Sequence, residues 1–417
     1  MCNAPTRAVL EAKGEWLADT VPDITLIKHH SDKLTESLIQ RIHVNNLEDA
    51  DQMVESLKET LTEYENNRDV YQNLLQAAKT PNISSKSKLE YYELKSAVKA
   101  AKSTLDASYD EFINLYNSMP NIISNAQHSS NYKSADSKIP GLDSLAPPAI
   151  PNSLKSDDAH QENFNLNYVI GDKALLELNI CDFTNDFLEE YKFLPVAATS
   201  FLRTEALQQM GLMMNSFYDI YTLQTKSELH ANDTRALQSD NYTRKEKFED
   251  SHVFHLQGVC EALLVAMFIR TKCQALPMQI YSLGSQYRMT HTGKSMQSKV
   301  AQFLNASSTE TEADSCYEYN IQMVDRFWSM LNIKATKRLV PAYELKQHEA
   351  AAVEFILSDE RFQQNLKNIV VLSRVCISYD FISRRIMAYS ISSEDVSFCH
   401  FVSGELIDVN SLLDMLA

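Results

Sequence analysis

An interrupted heptad pattern in the first third of the chain limits the fold more than any other feature. Apolar or small residues fall at Leu47, Ala50, Val54, Leu57, Leu61, Tyr64, Tyr71, Leu75 and Ala78, in steps of mostly three and four with only Arg68 out of place. Thr80, Pro81, Asn82 and Ser84 break the run, which resumes at Tyr91, Leu94, Val98, Ala101, Leu105, Phe112, Leu115 and Met119, with Ser108 as its weak point. Two helices of that period each offer one apolar stripe and bury it by pairing as an antiparallel coiled-coil hairpin. At about 1.5 Å per residue each helix reaches roughly 45 to 50 Å. Such an arm is built to touch something large.

The 417 residues exceed what one core holds and call for two or three domains. No apolar run approaches the roughly 20 residues that a membrane-spanning helix needs, so no membrane contact is expected. The seven cysteines are scattered without a CxxC pair, against both a disulfide framework and a zinc ribbon. His252 and His255 are spaced as metal ligands could be, but no thiolate or second histidine pair joins them, so no metal and no cofactor is expected.

The net charge of −16 repels nucleic acid unless the cations are gathered locally. The arm separates its charges in that way. Its first helix carries Glu48, Asp49, Asp51, Glu55, Glu59, Glu63, Glu65 and Asp69, whereas the turn and second helix carry Lys86, Lys88, Lys95, Lys99 and Lys102. A solvated, salt-laced helix pair and a basic RNA-facing surface both fit this pattern.

Residues 1–22 contain Glu11, Glu15 and Asp19 and make a poor transit peptide as they stand. A short amphipathic helix is expected over 24–42. Residues 127–163 are rich in Ser, Pro, Asn and Asp and read as a linker. Beyond it, strands are expected over 192–200, 278–288, 368–377, 385–391 and 396–402, and helices over 175–191, 259–272, 318–331, 344–357 and 405–416. Adjacent strands with no helix between them favour an antiparallel sheet in an α+β layout. The chain holds only eight glycines, so phosphate loops built on glycine are scarce. Gly293, Lys294 and Ser295 mimic the end of a phosphate loop, but Arg288 stands where the loop needs its other glycine. No nucleophile elbow, dinucleotide turn or HExxH helix occurs.

A hairpin closing on Ser118, Met119, Pro120 and Asn121, a linker, and an antiparallel-sheet domain together resemble bacterial-type seryl-tRNA synthetase over nearly the whole chain. The strongest local match is VCISYDFISRRI at 375–386, which resembles the family's CSN-x-x-DFQ-x-RR run. FVSGELIDVNSLL at 401–413 resembles its final strand and helix. The resemblance implies four parts: an N-terminal segment with a short helix (1–45), a tRNA-binding-type arm (46–126), the linker (127–163) and a class II aminoacyl-tRNA synthetase-like core (164–417).

Amino acid activation needs cations on the phosphates, an acid for metal or ATP, and a polar pocket for the amino acid. The family's motif 2, F-R-x-E, matches Tyr287, Arg288, Met289 and Thr290, keeping the phosphate arginine and losing the adenine-contacting glutamate. Its T-x-E serine pocket matches Val259, Cys260 and Glu261, keeping one carboxylate. Its ATP and metal glutamate matches Val371, and an alkyl group offers magnesium no oxygen. The motif 3 arginine falls on Ser411, and no arginine follows Arg385. R-x-H-Q-F resembles Lys299, Val300, Ala301, Gln302 and Phe303 without the histidine, and the motif 1 proline falls near Ala197 or on Pro195. Arg288 and Glu261 fit a structural ion pair as well as residual ligand binding, and Cys260 fits a small buried filler.

The pattern resembles a catalytically degenerate paralogue, of the seryl-tRNA synthetase-like kind found in insect mitochondria. That resemblance implies a mitochondrial matrix protein without aminoacylation activity. It would pair with the genuine mitochondrial seryl-tRNA synthetase, or with itself, and contact serine tRNA or other mitochondrial RNA through the lysines of the arm. Two other classes stay open on the residues alone: a divergent amino acid-activating enzyme working on tRNA or carrier protein, and a protein-only adaptor.

Overall fold

The computed structural model describes residues 20–41, 47–79, 88–124, 142–151, 169–203, 207, 222–223, 254–256, 260–289, 295–363, 370–392 and 395–416. The expectations for residues 1–19 and for the linker, apart from 142–151, lie outside the described residues. The chain divides into two compact units, Thr20–Ile122 and Ile123–Ala417.

The first unit is helical: α1 (Ile24–His29), α2 (Ser31–Arg41), α3 (Leu47–Lys79) and α4 (Lys88–Ser118). The single helix expected over 24–42 is two, divided at His30, whose N–H donates to the Leu26 carbonyl and closes α1. At 33 residues α3 extends about 50 Å. Ala50, Val54, Leu57 and Leu61 of α3 are buried against Phe112 and Tyr116 of α4 and Met119 just beyond it, together with Ile27, Leu34 and Leu38 of α1 and α2. Tyr64 lies with its ring centroid 5.4 Å from Tyr109 and 6.1 Å from Phe112, fixing the antiparallel register. Farther out, Tyr71, Leu75, Leu94, Val98 and Leu105 are only half buried, as a two-helix seam allows. Ser108, the weak point of the pattern, is buried and donates from its hydroxyl to the Leu105 carbonyl.

The second unit begins with a 3-10 turn at Leu142–Ser144, and Leu142 is buried in the main core although it falls inside the segment read as linker. There follow α5 (Asp172–Glu190), β1 (Leu194–Pro195), β2 (Phe201–Arg203), β3 (Thr222–Leu223), β4 (Phe254–Leu256), α6 (Cys260–Ala266), β5 (Lys272–Cys273), β6 (Met278–Met289) and β7 (Ser295–Ser307). Then come α7 (Glu310–Met330), β8 (Ala335–Leu339), β9 (Ala351–Leu357), α8 (Glu360–Gln363), β10 (Val371–Tyr379), α9 (Phe381–Ile386), β11 (Tyr389–Ser392), β12 (Asp395–Phe398), β13 (His400–Asp408) and α10 (Val409–Leu416). Seven strands form one sheet in the order β1-β6-β7-β13-β10-β9-β8, antiparallel except where β1 joins β6. Two three-stranded sheets, β12-β11-β5 and β2-β4-β3, complete it.

The pleat sends alternate residues to opposite faces of the large sheet. One face, with Tyr281, Phe303, Val353, Phe355 and Val375, packs on α5, α7 and α10. Phe187 of α5 meets Phe327 of α7 edge-on at 5.1 Å, and Trp328 donates from its indole N–H to Ser373 Oγ at 2.7 Å. The other face, with Ile280, Leu304 and Phe401, packs on α6 and α9.

Several expectations are corrected. The helix expected over 344–357 is strand β9, because Ala351–Leu357 is buried on both faces and its apolar run, broken only by Glu354, carries no strand alternation to read. β7 and β8 were not anticipated, β7 because Ser, Gln and Lys dilute its apolar residues. α7 starts at Glu310 and not at 318: Thr309 Oγ1 accepts from the Glu312 N–H while the Glu312 carboxylate accepts from Ser308. α6 ends at Ala266, well short of 272. The strand expected over 385–391 begins only at Tyr389, after α9 and a left-handed Met387. β13 continues to Asp408, so the last helix starts at Val409 and not at 405.

Gly404 in β13 has no room for a side chain: a Cβ there would stand 2.5 Å from Phe303 Cζ and 2.7 Å from the Arg374 carbonyl oxygen. Replacing Gly404 by alanine is expected to lower unfolding free energy by about 1 to 3 kcal/mol in urea titrations, the usual cost of overpacking.

Candidate functional site

The strand register places one residue from each of six strands in a single row: Arg338 of β8, Glu354 of β9, Arg374 of β10, Glu405 of β13, Gln302 of β7 and Ser282 of β6. Paired residues share a face, so this row lies on the face that also carries Ile280 and Leu304, away from α5 and α7. Four of its members alternate in charge.

The charges are joined. Arg374 donates from Nη1 to Glu354 Oε1 at 2.6 Å, from Nε to Glu349 Oε1 at 3.0 Å and from Nη2 to Glu349 Oε2 at 2.5 Å. Arg338 reaches Glu354 Oε2 at 2.5 Å and Glu344 Oε2 at 2.8 Å. The Lys346 N–H donates to Glu349 Oε2 at 2.8 Å. Both carboxylate oxygens of Glu349 and of Glu354 are therefore engaged by cations or backbone. Glu349 is fully buried, and Arg374 keeps only 18% of its side chain exposed. Burial alone would raise the Glu349 carboxyl, but Lys346 and Arg374 overcome it and hold it below the usual range. Burial likewise opposes the Arg374 charge, and Glu349 and Glu354 more than compensate.

His348, Glu349 and Cys376 bring one potential ligand atom each within 4.8 Å of one another. Arg374, already seated on both oxygens of Glu349, opposes a second positive charge there. At the far end of the row Gln302 is fully buried, and neither atom of its amide has a protein hydrogen-bond partner.

The positions singled out in the sequence fall on separate elements. Val371 opens β10 opposite Ile356 and is 45% exposed. Ser411 lies in α10, where its N–H donates to Asp408 Oδ1 at 3.0 Å, and the adjacent Asn410 Oδ1 accepts from the Lys299 N–H at 2.8 Å. Lys299 in turn pairs with Glu177 at 3.0 Å, which raises its pKa. Arg288 sits on β6 in register with Met296, and Glu261 is the second residue of α6; their side chains lie outside the described residues. Val259, Thr290, Lys86, His252 and the Gly293–Lys294 pair also lie outside them. His255 is buried on β4. Lys88 opens α4, and Lys95, Lys99 and Lys102 are exposed on it at the spacing of one helical face. Among the described residues none of these three lysines is ion-paired.

Sequence reading missed Arg338, Glu344, Glu349, Glu354, Arg374 and Glu405. The available signal was a lone Glu in the apolar run of β9 and a lone Arg in that of β10, since a charge buried in a strand demands a partner.

No family model matches the chain. It is 21% identical over 338 residues to the serine–tRNA synthetase-like protein Slimp of Drosophila melanogaster, covering 78% of this chain and 67% of that protein. The crystal structure of cytoplasmic serine-tRNA ligase from Naegleria fowleri in complex with AMP superposes with a TM-score of 0.69 at 14% identity, covering 95% of this chain and 92% of that one. Seryl-tRNA synthetase from Pyrococcus horikoshii complexed with ATP gives 0.67 at 13%, covering 95% and 93%. The antiparallel sheet with its helical N-terminal unit is thus the α+β, class II fold of aminoacyl-tRNA synthetases. In sequence the chain is similar to a serine–tRNA synthetase-like protein, and in fold to seryl-tRNA synthetases.

Arg374 is the member of the row whose removal exposes the cost of burying charge. Arg374→Met is expected to lower stability by about 3 to 5 kcal/mol at pH 7, because Glu349 is left buried and uncompensated, while Arg374→Met with Glu349→Leu recovers most of it. Because the folded-state pKa of Glu349 is depressed, its contribution is present above the ordinary glutamate value of about 4.3 and is lost as pH falls through the lowered one. Urea midpoints of both variants against pH check this.

Proposed function

We propose that this chain is a non-catalytic seryl-tRNA synthetase paralogue of mitochondria, which pairs with the genuine mitochondrial seryl-tRNA synthetase and contacts serine tRNA through its arm. The observation that carries the reading is the charged row. On the sheet face where the row lies, the carboxylates of Glu349 and Glu354 are bound to Arg374 and Arg338, not left to hold a metal or an ammonium. Val371 and Ser411, the positions where the resemblance places an acid and a phosphate clamp, carry neither charge. Loss of one phosphate or oxyanion contact commonly costs about 3 to 4 kcal/mol of transition-state stabilisation, and two such losses with a filled face put activation out of reach.

Two surfaces support the remaining roles. On the arm, Lys95, Lys99 and Lys102 offer three unpaired charges to a phosphate backbone. In the second unit, Ile170, Leu175, Leu178 and Leu194 are each more than half exposed around α5 and the edge strand β1. A two-fold pairing of α5 with its own copy would set Asp172, Asp182, Asp186 and Glu189 against like charges, which favours a different subunit. Gln302 is the observation that favours the alternative of retained small-molecule binding, since a polar ligand would relieve its buried amide.

In a pyrophosphate-exchange assay with the standard amino acids and ATP, the chain is expected to stay at background; robust exchange would establish the alternative of a divergent activating enzyme. Co-expression with mitochondrial seryl-tRNA synthetase followed by size exclusion is expected to give one mixed peak, weakened by Leu175→Glu with Leu178→Glu. Two separate homodimer peaks would defeat the pairing. Reversing Lys95, Lys99 and Lys102 to Glu is expected to weaken serine tRNA binding roughly tenfold or more at moderate salt. An unchanged affinity would leave a protein-only adaptor.

A further inference from the structure

Cys273 and Cys399 stand apart from the charged row and face one another. Cys273 is the second residue of β5 and pairs with Ser390 of β11. Cys399 lies between β12 and β13, with its N–H donating to the Ala388 carbonyl at 3.1 Å. Their sulfurs are 3.5 Å apart, and the Cys399 thiol donates to Cys273. Phe268, Ile386, Ala388 and Phe401 belong to the same apolar cluster.

We propose that this pair is a peroxide-oxidisable dithiol that closes to an intramolecular disulfide between β5 and the head of β13. The placement divides the roles. Cys399 is fully buried, whereas Cys273 keeps 5% of its surface and is followed by the exposed Gln274 and Ala275 at the end of a two-residue strand. Opening so short a strand costs little, and hydrogen peroxide is small enough to enter. The hydrogen bond from Cys399 lowers the Cys273 pKa and raises that of Cys399, making Cys273 the attacking sulfur. Burial instead pushes Cys181 up to about 11 and raises Cys316.

The chemistry balances. The Cys273 thiolate attacks one oxygen of hydrogen peroxide, the O–O bond breaks, and with one proton taken up the products are a sulfenic acid and water. Cys399 then attacks Cys273 Sγ, its proton leaving with the displaced hydroxide as a second water. Two thiols are oxidised by two electrons, and one peroxide is reduced. The link would span 126 positions of sequence, restricting the unfolded chain and fixing the start of the strand that carries Ser403 and Glu405.

The test treats the full chain with hydrogen peroxide, removes the oxidant with catalase, then denatures, alkylates and maps peptides without reductant. The expected result is a linked Cys273–Cys399 peptide, formed roughly tenfold faster than Cys376 is modified, with an unfolding midpoint that rises and returns on adding dithiothreitol. Cys399→Ser should stop at a Cys273 sulfenic acid that dimedone captures, and Cys273→Ser should leave Cys399 alkylatable. The Cys399→Ser readout stands even where Cys273→Ser does not fold. Absence of the linked peptide in a folded, peroxide-treated chain, or a sulfinic acid at Cys273 with Cys399 still reduced, would overturn the proposal. So would equal loss of Cys399 thiol in folded Cys273→Ser.

Discussion

A guanidinium held between two buried carboxylates governs the second unit. Arg374 sits in β10 with Glu349 and Glu354 bound to its three nitrogens, in surroundings where an unpaired charge of either sign would be severely penalised. That penalty makes the pairing of β9 with β10 close to obligatory. A slip of one residue would turn Arg374 toward the cluster of Val375, Phe355 and Phe303, and would turn those apolar groups toward the row. The hydrogen-bonded ladder could tolerate the slip; the charges could not.

The same interaction decides what the sheet face has to offer. A site that activates an amino acid needs carboxylates and cations that meet their partners only when substrate arrives, because interactions already satisfied in the resting protein contribute nothing to the transition state. In the row, Glu354, Arg338 and Arg374 satisfy one another, with Glu349 beside them. Withdrawing Arg374 to serve a ligand would strand Glu349 in a nearly dry environment. In the proposed reading the face has exchanged responsiveness for internal order, and the surfaces left with unsatisfied chemistry are the lysines of α4 and the apolar residues around α5.

How much of this was legible depended on whether a signal was local. The arm was readable because a heptad seam needs only its own period, and the seam residues from Ala50 to Leu61 are buried as spaced. Tyr116 joins that core because α1 and α2 cover the base of the arm, a contact that no periodicity within α3 and α4 announces. The start of α7 was written in the chain as Thr309 and Glu312, a capping pair that apolar spacing alone passes over. β9 was unreadable by period because both its faces are buried. The row itself was hidden for a stronger reason: its members lie on six strands, and only the register of five pairings brings them into line.

The α+β fold shared with solved seryl-tRNA synthetases survives here at 13–14% identity, and the contacts around Ser411 show how. Ser411 stands where an arginine was expected, and its N–H is held by Asp408 at the start of α10. Its neighbour Asn410 accepts from the Lys299 N–H and so ties that helix to β7, while the Lys299 side chain ties β7 to Glu177 of α5. A phosphate clamp in this place would have to leave its cation free, at some cost to packing while empty. Here α10 is secured by the Asp408 cap and by the Asn410–Lys299 bond. In the proposed reading the fold persists without a clamp because these contacts run through Asp408, Asn410 and Lys299 and ask only a backbone N–H of position 411.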